Sequence, residues 1–202
     1  MGGVYGTINM PGLQTFLGLL LARECGIDHE LIEPAIERAS TFFASYAGKG
    51  AIPYGEHEPA WNSHESNGKS GLAALAFTLQ DHRQDEAKFF AKMATAAVSE
   101  REVGHTGAFF HFLWAPIGAA QGGELAAAAH FKEMAWHLDL SRRWDGTFAY
   151  DCLNRYGPLT GYHSGNPYYD YRMSTAALLT YALPLRQLHI TGRNQDEERD
   201  LA

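Results

Sequence analysis

The chain has 202 residues, 46% of them apolar, and 16 Lys and Arg against 23 Asp and Glu give a formal net charge of −7. That length suits one domain with a substantial core. The acidic balance, without any run of basic residues, argues against a phosphate-tracking surface for nucleic acid or anionic lipid. Cys25 and Cys152 are too few for a disulfide framework and leave the redox compartment open.

Residues 1–9 are Gly-rich and read as a loop; Pro11 then suits a first helical turn, and Leu13, Phe16, Leu17, Leu20 and Leu21 recur at helical spacing until Gly26. The apolar stretch 13–22 is preceded by no positive charge and followed by Arg23 and Glu24, so it reads as neither a signal peptide nor a bilayer span. A soluble chain is expected, its compartment open. Cys25, at the end of that helix, is expected to sit as a small hydrophobe.

Asp28 is the expected N-cap of a second helix, in which Leu31, Ile32, Ile36, Ala39, Phe42, Phe43 and Tyr46 mark one apolar stripe opposite Glu33, Glu37 and Arg38. Gly48 and Gly50 stop it. A polar loop follows, broken by Pro53, Gly55, Pro59 and Gly68, and it carries Glu56, His57, Glu58, Trp61, Asn62, His64, Glu65 and Asn67, with Lys69 just beyond. It opens on a helix over 69–79, GLAALAF at its heart, that is apolar nearly all round and should be enclosed on all sides.

The pattern then repeats. A two-faced helix spans 85–101, the loop EVGHTG follows, and an apolar helix over 108–121 is expected to be bent or divided at Pro116. A two-faced helix spans 124–141, a long loop 142–170, and an apolar helix 171–183 ends at Pro184. Strand signals are nearly absent. The class is therefore all-α: alternation of apolar and amphipathic helices joined antiparallel predicts an inner ring sheathed by an outer ring, one domain over 1–186 with a polar tail at 187–202.

RWDGTFAYD at 143–151 and YYDYRMSTAALLTYALP at 168–184 resemble the closing turn and inner helix of α/α-toroid proteins, the terpenoid cyclase and protein prenyltransferase type of hairpin. The resemblance extends over nearly the whole chain and implies an α/α toroid forming a partial ring of about four helical hairpins. A piece of a longer toroid, a short open ring, and half of an assembly with a second copy all stay open. AWNSHESNGKSGLAALAF at 60–77 is similar to the Asn-and-His signature of α/α-toroid polysaccharide lyases. That similarity implies Asn62 as neutraliser of a uronate carboxylate, His64 as base and Tyr162 or Tyr168 as acid. Asn or Ser before a helix is also an ordinary cap.

If the apolar helices are all entered from one end, the loops before them meet on one face and each brings a positive helix N-terminus, which favours an anion there. Those loops hold His57, His64, His105 and His163, the acids Glu65 and Asp145, the rings Trp61, Trp144 and Tyr168, and Asn62 and Asn67, with Arg172 alongside. The expected function is a carbohydrate-active enzyme, lyase or glycoside hydrolase. His64, Glu65, Asp145 and Tyr168 are its catalytic candidates; Trp61, Asn62, Asn67, His57, His105, Trp144, His163 and Arg172 would hold substrate. In the hydrolase version Glu56, Glu58 or Glu65 works against Asp145 or Asp151 while the aromatic rings stack on sugars. The alternative is a non-catalytic glycan- or protein-binding module.

Four loop histidines with a carboxylate or Cys152 also admit zinc, and the prenyltransferase resemblance implies Asp151, Cys152 and His163 for it; no HExxH or CxxC spacing supports this, and no cofactor is expected. The expected partners are a glycan or other small polar ligand and a second copy or missing toroid segment, with no nucleic acid and no membrane. His111 and His137, among Phe112, Trp114 and Trp136, read as packed histidines, whereas His29, His82 and His130 read as surface or helix-end residues.

Overall fold

A computed structural model describes residues 8–55, 58–59, 68–96, 109–149, 174–175 and 177–178. The elements, in order, are α1 (Asn9–Glu24), α2 (Ile32–Ala44), α3 (Lys69–Thr78), a 3-10 turn (Asp81–Arg83), α4 (Gln84–Ala96), α5 (Phe109–Ala120) and α6 (Glu124–Ser141). Among the described residues the only extended pairing that can be named is an isolated bridge between Arg142 and Phe148. The molecule is all-α.

The odd-numbered helices form one layer and run the same way. Gly68 and Gly71 of the α3 strip abut Phe110 and Trp114 of α5 in matching order, and Gly118 of α5 lies on Gly71 itself. At the far end Arg23 Nη2, in the last turn of α1, donates to the Leu79 carbonyl just past α3 (2.9 Å). A Cβ at Gly71 would fall on the Trp114 carbonyl and one at Gly118 on the Gly71 backbone, so only hydrogen at both positions lets α3 and α5 touch main chain to main chain.

α2, α4 and α6 cover this layer, each returning antiparallel after a short connection. α3 is the centre: it packs against α1, α4 and α5. Its sequence KSGLAALAFT is rich in Ala and Leu, the strongest helix formers, and every residue but Leu75 and Thr78 is buried. A row of rings crosses the layers, Phe43 stacked on Phe16 (5.9 Å), Phe16 edge-on to Phe77 (5.8 Å) and Phe77 stacked on Phe90 (5.6 Å). Each such side chain contributes about 1.5–3 kcal/mol on burial, so this row is the main cross-tie between α1–α2 and α3–α4.

Several expectations are corrected. Asp28 does not cap α2; the helix starts at Ile32, and His29 supplies the local bonds, its Nδ1 accepting from the Leu31 N–H (3.2 Å) and its carbonyl from the Ile32 N–H (3.0 Å). Cys25 is exposed, because it terminates α1 where Gly26 (φ 77°) turns the chain outward. α5 runs unbroken through Pro116, whose ring is buried in the layer. His130 is buried, because it shares a helical face with Ala127, Met134 and Leu138 that points into the core. α1 is covered on one side only, leaving Gln14, Thr15, Gly18 and Leu21 in water.

Candidate rim at the helix starts

The first residue of α1 anchors one end of the layer. Asn9 is fully buried, and its Nδ2 donates to the Pro53 carbonyl (2.8 Å), the Gly55 carbonyl (3.3 Å) and the Tyr46 hydroxyl (3.5 Å), while its N–H donates to the Tyr54 carbonyl (2.9 Å). Its Oδ1 is buried and accepts no hydrogen bond from the chain, a state that a water or ligand hydroxyl would relieve.

The loop that Asn9 clamps leads to the start of α3. Tyr54 lies over the Lys69 ammonium (5.8 Å from Nζ to the ring centre), and the Ile52 N–H donates to Ser70 Oγ (3.5 Å). Lys69 is completely buried, uncommon for a lysine. Gly68, in the left-handed region (φ 77°), lets the chain enter α3 directly against the Phe110 carbonyl in the first turn of α5. The N-termini of α1, α3 and α5 thus adjoin at one end. Gly55 and Gly68, which bound the segment 56–67, both lie there.

α6 runs back along α5, with His130 beside His111 (6.2 Å) and His137 stacked on Phe112 (5.3 Å), so the turn that follows α6 returns to the same end. That turn holds two of the expected site residues. Trp144 is 98% exposed. Asp145 is exposed, and its Oδ1 accepts from Thr147 Oγ1 (2.7 Å) and from the Thr147 N–H (3.0 Å). The Thr147 hydroxyl first, and then its N–H, hold the Asp145 carboxyl below its usual range, so it is ionised at neutral pH. The turn is tied down by the Arg143 N–H to the Thr147 carbonyl (2.7 Å) and by the Phe148 N–H to Ser174 Oγ (3.1 Å).

His57, Trp61, Asn62, His64, Glu65, Asn67, His105, His163, Tyr168 and Arg172 lie outside the described residues, as do Cys152 and Asp151. Among the described residues no three His, Cys, Asp or Glu side chains gather as a metal site would need. No helix there is long and apolar enough to cross a membrane. Asn9, Tyr54 and Lys69 were missed as site residues. Their signal was the boundary at which polar sequence gives way to GLAALAF, where Lys69 is the first residue of the helix expected to be enclosed.

The described residues define a class: a two-layer helical protein whose buried row presents its N-termini together. A family model described as a domain of unknown function, DUF6288, matches residues 1–192, and the chain belongs to that family. Searches of curated proteins and of solved structures find no match to it.

Proposed function

We propose that this rim is the glycan-binding mouth of a partial α/α toroid, and that the chain cleaves an acidic polysaccharide or oligosaccharide there. The observation that carries the reading is the shared end of α1, α3 and α5. Three helix N-termini, the positive ends of their dipoles, adjoin there in a chain of net charge −7, and Lys69 is buried in the first turn of α3 at the same end. A uronate carboxylate is the sugar group with the charge to match. The segment 56–67, with Trp61, Asn62 and His64, is joined to this end by Gly55 and Gly68.

In the elimination version Asn62 neutralises the carboxylate, His64 removes the neighbouring proton and Tyr168 protonates the leaving oxygen. In the hydrolytic version Asp145, held ionised by Thr147, suits base or nucleophile and not the proton donor, a role that falls to Glu65. The test is incubation with acidic and neutral polysaccharides. New ultraviolet absorbance from unsaturated uronates, abolished by His64→Ala, supports elimination; new reducing ends without absorbance support hydrolysis. Binding without either product makes the chain a non-catalytic glycan module, and neither binding nor product overturns the reading.

A further inference from the structure

α2 and α4 turn mostly charge to the solvent, with Glu33, Glu37 and Arg38 beside a partly exposed Phe42 on the first and Asp85, Lys88 and Lys92 on the second. The outward face of α6 differs. Leu125 is 88% exposed, Leu140 79% and Trp136 47%, and they form a single stripe with Ala129 and Lys132 at helical spacing, opposite the buried Ala127, His130, Met134 and Leu138.

The stripe is symmetric about its own midpoint. Outward from the 132–133 peptide, Lys132 mirrors Glu133, small Ala129 mirrors large Trp136, and Leu125 mirrors Leu140. In a two-fold interface residue i meets j of the other copy and j meets i. Two α6 helices laid antiparallel about that midpoint therefore place leucine on leucine, indole on alanine and ammonium on carboxylate. Beside Ala129 a concavity of 330 Å³ opens between α4 and α6, walled by Gly122, Ala126 and Ala96 and rimmed by Lys88 and Lys92. Small walls leave room for an indole, and lysine ammonium groups at the edge suit the ring face.

We propose that α6 is a self-complementary pairing helix whose partner is a second copy of this chain, with Trp136 of each copy seated over Ala129 beside that concavity. The charge pattern selects this occupant, since a glycan or an unrelated helix would have no reason to match both the Lys132–Glu133 reversal and the Ala129–Trp136 size reversal.

Sedimentation velocity across a range of concentrations tests it, with circular dichroism confirming that each variant keeps its helices. The unaltered chain is expected to be a dimer, and Trp136→Ala to raise the dissociation constant about thirtyfold. K132E alone and E133K alone each oppose like charges across the two-fold and are expected to be monomers. An equimolar mixture of the two pairs Glu with Lys at both contacts and restores a dimer, as does the double exchange K132E/E133K. A monomer at every concentration, a dimer indifferent to Trp136→Ala and both charge variants, or a mixture that stays monomeric overturns the proposal.

Discussion

α3 and α6 are both rich in alanine and leucine, yet α3 is buried at every residue but Leu75 and Thr78 while α6 keeps Leu125, Trp136 and Leu140 in water. Position separates them. α3 has α1, α4 and α5 around it, whereas among the described helices α6 packs on α5 and α4 and leaves Leu125, Trp136 and Leu140 exposed. An apolar helix in the middle of a layer is consumed by the core, and one in the covering layer has surface left for a partner.

The contrast can be broken most severely at the α3–α5 seam. Gly71→Val places side-chain atoms where the Trp114 carbonyl lies, and the loss is expected to exceed about 3 kcal/mol, enough to leave no cooperative thermal transition. Phe77→Ala opens a cavity where the rings of Phe16 and Phe90 meet and should cost about 3–5 kcal/mol in a denaturant titration.

On α6 the inward face has its own signature. Burial lowers the His130 pKa from 6.5 to about 4, so the unfolded chain takes up the proton first as pH falls. Its contribution to stability is complete above about pH 6.5 and is lost progressively as pH falls towards 4, on the order of 3 kcal/mol in all. His130→Leu should flatten that part of the profile; an unchanged acid limb would mean the imidazole is not the group responsible. Smallest of all, Leu140→Ala on the outward face should change the stability of the single chain by less than about 0.5 kcal/mol, which sharpens the difference from Phe77.

Much of the architecture was legible before any coordinates. The apolar repeats at Leu13, Phe16 and Leu20, and at Leu72, Ala76 and Phe77, mark buried faces, and those residues are in the core. The expected enclosure of the 69–79 helix agrees with α3. The expectation that the apolar helices are entered from one end agrees with the structure for α1, α3 and α5. His111 and His137 pack against aromatic neighbours as read.

His130 was misread because a histidine between Ala129 and Phe131 carries no local mark of its direction; only the register of α6 against α5 turns it inward. Lys69 heads the helix expected to be enclosed, and its burial depends on a ring distant in sequence, since Tyr54 lies over its ammonium. Of the expected site, Trp144 and Asp145 stand in the turn after α6, and the exposed Asp145 spends its carboxylate oxygen on Thr147.

Sequence alone determined the all-helical class, the alternation of buried and covering helices and most of the core, because periodicity and propensity are local and survive without neighbours. Tertiary structure decided which end the helix starts share, that Lys69 and His130 are buried, and that α6 shows a greasy face to solvent. Those outcomes depend on what lies across a packed interface, and no stretch of chain carries that information about residues far from it.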